Sequence, residues 1–78
     1  MPTVLRQDGF SIMIYTHDHE PMHVHVFSAD GEVIVNLLDL SVRSRRGMDN
    51  RDARRAQEIV NANQDFLCGE WDRIKPVS

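Results

Sequence analysis

Hydrophobic and polar positions alternate along the first half of the chain, and then the period changes. Phe10, Ile12 and Ile14 alternate with Ser11, Met13 and Tyr15, the period of two that a strand needs when its faces meet different surroundings. Residues 16–22 are polar, and Pro21 opposes a regular element through them. Alternation resumes over residues 23–28. Val24 and Val26 point one way, and His23, His25 and Phe27 point the other. Asp30-Gly31 is a hairpin signal leading into residues 32–38, where Val33, Val35 and Leu37 share a face. A shorter extended piece follows over about residues 40–45, and Gly47 ends the alternation.

Beyond Gly47 the spacing becomes helical. Asp49 or Asn50 can cap a helix, and Asp52, three residues after Asp49, makes an acidic version of the capping box. Ala56, Ile59, Val60, Phe66, Leu67, Trp71 and Ile74 recur at intervals of three and four, interrupted at Asn63. They form one stripe of an amphipathic helix. Pro76 stops it, and Gly69 is the position where it would bend. The pattern predicts an α+β fold: a small three- to four-stranded antiparallel sheet with one C-terminal helix packed on one face. Its core should contain Ile12, Ile14, Val24, Val26, Val33, Val35, Ile59, Val60, Leu67 and Trp71.

Composition narrows the setting. The 78 residues allow a single domain with a small core, which a homodimer could supplement. Hydrophobic residues make up 41% and charged residues 27%, ordinary for a soluble globular chain. Cys68 is the single cysteine, so no intrachain disulfide forms, in keeping with a reducing cytosol. No apolar run approaches the roughly 18 residues of a membrane span, so no membrane role is expected. A cytoplasmic protein is the expectation.

The charge is unevenly placed. Six of the nine basic residues, Arg43, Arg45, Arg46, Arg51, Arg54 and Arg55, fall between residues 43 and 55 with only Asp49 and Asp52. That segment is locally +4 in a chain of net charge −3, which leaves −7 for the rest. An acidic chain with one arginine patch points to a local anion site rather than general nucleic-acid adhesion. Arg51, Arg54 and Arg55 also sit in the first turns of the predicted helix, where cations oppose the helix dipole and a bound anion would offset that cost. The alternative is that these arginines are solvated and paired with Asp49, Asp52 or Glu58.

All four histidines, at positions 17, 19, 23 and 25, lie in one short run. Within it, Asp18-His19-Glu20-Pro21-Met22-His23-Val24-His25-Val26 resembles the Asp-His-x-Pro-Pro-His-x-His motif of the domain-of-unknown-function 4160 family. Met22 stands where the second proline is usual. Met1-Pro2-Thr3-Val4, Gly9 before the first strand and the helix ending near Trp71 also resemble that family. The resemblance implies a small bacterial cytoplasmic protein. The genes of such proteins often lie beside another small domain, which implies a toxin–antitoxin pair with a small partner protein encoded nearby. It implies no activity.

The chemistry must come from the residues. His23 and His25 are two apart on a strand, with Cα atoms roughly 6.5 Å apart on one face. With His19 from the loop they could bind a divalent metal such as zinc, three histidines and an open position being a catalytic zinc pattern. Asp18 or His17 would be a further ligand or would orient one. The same His19, His23 and His25 could instead form a solvent-accessible catalytic cluster for proton transfer. On RNA, they would deprotonate a 2′-hydroxyl while Arg43, Arg45, Arg46, Arg51, Arg54 and Arg55 hold phosphates bidentately. The third alternative is that the histidines merely cover the outer face of the sheet. Trp71 belongs to the apolar stripe and reads as core or dimer contact; Cys68 reads as packing. Two function classes follow. One is an interaction module for a partner protein or RNA, and the other is a histidine-dependent ribonuclease or metal-dependent hydrolase.

Overall fold

The structure, a computed structural model, describes residues 3–15 and 21–74. It is an α+β fold: a five-stranded antiparallel sheet in the order β1-β2-β3-β4-β5, followed by two helices. The strands are β1 (Thr3–Gln7), β2 (Phe10–Met13), β3 (His23–Phe27), β4 (Glu32–Asn36) and β5 (Val42–Arg46). The helices are α1 (Asn50–Ala62) and α2 (Gln64–Ile74).

Two features correct the sequence-based expectation of three to four strands and one helix. The first is the β1–β2 hairpin. Asp8 and Gly9 both take positive φ, 53° and 83°, and bring Gln7 opposite Phe10. Two successive left-handed residues make the tight turn whose twist suits a hairpin. Asp8-Gly9 is thus the same dipeptide signal as Asp30-Gly31. The second correction is the helix break. It falls at Asn63, which caps α1, and not at Gly69, which lies within α2. The Asn63 side chain donates to the Ile59 carbonyl at 2.8 Å, and its own carbonyl accepts from the Leu67 N–H at 2.9 Å. One asparagine therefore closes one helix and opens the next. The break shifts the phase of the apolar stripe, and Phe66 ends up 49% exposed.

The start of α1 matches the capping signal. The Asp49 side chain accepts the Asp52 N–H at 2.8 Å, which satisfies one of the otherwise unpaired amide donors of the first turn. Ala53, Ala56, Ile59 and Val60 form the buried face of α1, which packs on β4 and β5.

The register divides the sheet into two faces. Val26 pairs with both Ile12 and Val33, and Val24 pairs with Val35. These side chains are buried with Ile14, Leu37, Leu67 and Trp71, as the alternation predicted. Each such side chain, fully buried, contributes about 1.5–3 kcal/mol. The other face carries Ser11, Met13, His25, Phe27, Ile34 and Asn36, half-buried, with Arg6, Ser44 and Arg46 at its flanks. Neither helix lies over it among the described residues, except where α2 crosses the end of the sheet. There Gln64 Nε2 donates to the Leu37 carbonyl, and the Trp71 ring meets that of His23 with centroids 5.4 Å apart.

Two turns lock together at the opposite end. The β3–β4 hairpin closes through the Ser28 N–H donating to the Gly31 carbonyl at 2.9 Å. Gly31 packs directly on the backbone of Arg46, Gly47 and Met48. Gly47 takes φ +76° and packs on Asp30 in return. Asp30-Gly31 thus does mark a hairpin. Gly31 is needed there for close approach, however, rather than for a left-handed turn. No helix is long and apolar enough to cross a membrane among the described residues.

Candidate functional site

Strand β3 brings His23 and His25 to one face, with ring centroids 5.3 Å apart. Tyr15 meets the His25 ring edge-on at 4.7 Å, and Phe27 lies nearly parallel to it at 6.5 Å. The result is a row of rings along the strand: Trp71, His23, His25 and Phe27, with Tyr15 beside His25.

Hydrogen bonds orient both imidazoles. His23 Nδ1 lies 2.9 Å from the Pro21 carbonyl oxygen, and His25 Nδ1 lies 3.0 Å from Glu32 Oε2. A carbonyl or carboxylate oxygen only accepts, so Nδ1 carries the proton in each ring. In the neutral imidazole the basic lone pair is then at Nε2. Glu32 reaches His25 because the register sets Phe27 opposite Glu32 and His25 opposite Ile34, making Glu32 a diagonal neighbour. The sequence reading missed Glu32 and Tyr15. Working the β3–β4 hairpin into register would have found Glu32.

Of the three histidines expected in the site, His23 and His25 are the two that the described residues include. His19 lies outside the described residues, as do His17 and Asp18. His23 is not solvent-accessible; it is 5% exposed, covered by Trp71. His25 keeps some exposure, 13% of its side chain. Among the described residues no three His, Cys, Asp or Glu side chains converge as metal ligands. A zinc site would therefore need His19, and the ion would have to be met at Nε2 of His23 and His25, since Nδ1 of each is already donating.

The six arginines do not form one patch. A bulge in β5 beside the Ile34 and Val35 pairings redirects the strand. Arg43 turns to the ring face, where its Nε donates to Asn36 Oδ1 and its Nη2 to the Pro21 carbonyl that also holds His23. Arg46, opposite Glu32, is on that face too. Arg45, opposite Val33, lies on the helix side and contacts Asn50. Arg55 is paired with Asp8 at 2.5 Å and Glu58 at 3.3 Å. Arg54 forms no ion pair among the described residues and lines two surface depressions. Arg51 lines one of these beside Asp52.

Titration is shifted at Asp39, Glu70 and Cys68. The Ser41 hydroxyl and N–H hold the Asp39 carboxyl below its ordinary range, and Arg73 does the same for Glu70. Burial, then Asp65 and Asp72, push the Cys68 thiol up, away from the low-pKa thiolate of a reactive cysteine.

A family described as a domain of unknown function, DUF4160, matches residues 9–72. The chain belongs to this family. The DUF4160 match takes in β2 to β5, the ring row and nearly all of both helices, while β1 precedes it. No curated protein and no solved structure matches the chain.

Proposed function

We propose that the chain is an interaction module that binds single-stranded RNA across the open face of its sheet. The observation that carries this reading is the coincidence on one face of the Tyr15, His25 and Phe27 rings with Arg43 and Arg46. Unpaired bases stack on aromatic side chains presented by an antiparallel sheet, at about 1–3 kcal/mol per base. The flanking arginines would then hold the phosphates, with Arg6 of β1 at the far edge. Met13 and Ile34 give the rings an apolar bed. An RNA-binding module of this size fits the toxin–antitoxin setting that the family resemblance implies.

Titrating a single-stranded RNA at several salt concentrations tests the reading. Replacing Arg43 and Arg46 with alanine should weaken binding and reduce the slope of log K against log salt, by about 0.7 for each phosphate that is no longer neutralised. Phe27→Leu keeps the apolar packing, removes the ring and should weaken binding without altering that slope. The absence of binding at low salt would reject the proposal.

One observation favours a second reading, in which the same face cleaves RNA. The Glu32 carboxylate orients the His25 ring so that Nε2 is its basic atom, the arrangement of a general base held by an acidic partner. His25→Gln should then abolish cleavage, while weakening binding no more than Phe27→Leu does. Cleavage that survives a chelator is the histidine-only chemistry, and cleavage that stops is the metal-dependent hydrolase.

A further inference from the structure

A groove of about 470 Å³ lies between β5 and α1, on the side of the sheet opposite the rings. Val42, Arg45, Asn50, Ala53, Arg54 and Gln57 line it. The β5 bulge makes it possible. Val42 pairs with Val35 and Arg45 with Val33, so both face the helices, while Arg43 between them turns away. Arg54 enters from α1, one turn beyond Asn50.

Two guanidinium groups thus face one groove from different elements, and no carboxylate lines it. Among the described residues neither Arg45 nor Arg54 forms an ion pair. The neighbouring depression differs. It also includes Arg54, but there Arg51 and Arg55 are accompanied by Asp52 and Glu58. With Arg54 counted in both, the depression sets three arginines against two carboxylates, whereas the groove has two arginines and no carboxylate. Like charges held together without a counter-ion are unfavourable, and a dianion would relieve them. The guanidinium fork suits phosphate oxygens, and the Asn50 side chain adds a polar group. The groove is also larger than one phosphate needs, and Val42, 38% exposed, with Ala53 gives it an apolar wall.

We infer that this groove binds a phosphomonoester, a group carrying close to two negative charges at neutral pH. Arg45 and Arg54 clamp the phosphate, and the organic body lies along Val42 and Ala53. The ligand is either a free mononucleotide or the 5′-phosphorylated end of an oligonucleotide, and the site stands independently of the ring face.

The test is calorimetric titration at low salt with adenosine 5′-monophosphate, adenosine, inorganic phosphate, and a short RNA with or without a 5′-phosphate. The monophosphate should bind saturably and adenosine should not. Arg45→Gln and Arg54→Gln should each lower affinity roughly tenfold or more, the loss of hydrogen bonds to a charged group. Both side chains are exposed, so melting temperatures should report intact folds; Arg73→Gln on α2 should leave affinity unchanged. Tighter binding of the 5′-phosphorylated RNA than of the same RNA without the phosphate, lost in both glutamine variants, identifies an oligonucleotide end, and equal binding of the two RNAs identifies the free nucleotide. The inference is overturned if neither the monophosphate nor inorganic phosphate binds, or if binding is unchanged in both glutamine variants.

Discussion

Adding one methyl group at Gly31 should unfasten the end of the sheet that carries Arg46. A Cβ built there would lie 2.0 Å from the Arg46 carbonyl oxygen, 2.8 Å from the Gly47 carbonyl carbon and 2.9 Å from the Met48 nitrogen. All three are backbone atoms, so no side chain can rotate away, and the two turns must separate. Overpacking of this kind costs about 1–3 kcal/mol or more, and the backbone contacts place Gly31→Ala at the upper end. In a domain of this size each kcal/mol moves the melting temperature by roughly 4–8 °C, so a drop of about 10–20 °C is expected. Gly69→Ala is the internal contrast. It is an exposed helical position in α2, and a Cβ there meets nothing within 4 Å. Alanine should stabilise it by about 0.5–1 kcal/mol. Thermal unfolding followed by circular dichroism measures both. A Gly31→Ala protein melting within a degree or two of the parent would refute the close-approach argument.

Three further outcomes follow from the packing and the charges. Trp71→Ala should destabilise by about 3–5 kcal/mol and raise solvent exchange at the His23 ring, seen by NMR, whereas Trp71→Phe should retain the fold. Asp39 and Glu70 have carboxyls held below their ordinary values of 3.8 and 4.5. Their contribution is complete above those values and disappears as pH falls through the lowered ones; melting temperatures should decline with acidification there, less steeply in Asp39→Asn. Cys68 should react with iodoacetamide at pH 8 more slowly than a free thiol, because burial and the two aspartates favour the protonated form. Replacing Asp65 and Asp72 with asparagine should quicken the reaction.

Much of the fold was legible because one-sided burial writes its period into the chain. The alternation through Ile12, Ile14, Val24, Val26, Val33 and Val35 identified both the strands and their inward face. The first strand, β1, has no such record. Val4 and Leu5 adjoin at a register shift, and the outer part of the strand is exposed. Its signal was the Asp8-Gly9 turn. The helix break was hidden for a related reason. Asn63 interrupted the stripe visibly, but glycine looked the better breaker, and only the capping hydrogen bonds distinguish them. The site was legible in its residue types and not in its grouping. His23 and His25 on one strand face followed from period two, but the burial of His23 depends on where α2 carries Trp71. The six arginines looked like one patch because they are close in sequence. The bulge in β5 places Arg43 and Arg45 on opposite sides of the sheet, and no local pattern announces it.

Mapping single-stranded RNA onto the protein by backbone amide NMR tests the ring-face proposal most directly. On addition of a short oligonucleotide at low salt, the largest shifts should fall on Ser11, Met13, His25, Phe27, Ile34, Ser44 and Arg46. The α1 residues Ala56, Ile59 and Val60, which lie against the other face, should stay nearly unmoved. Shifts confined to the helix side, or none at all at low salt, would contradict the account.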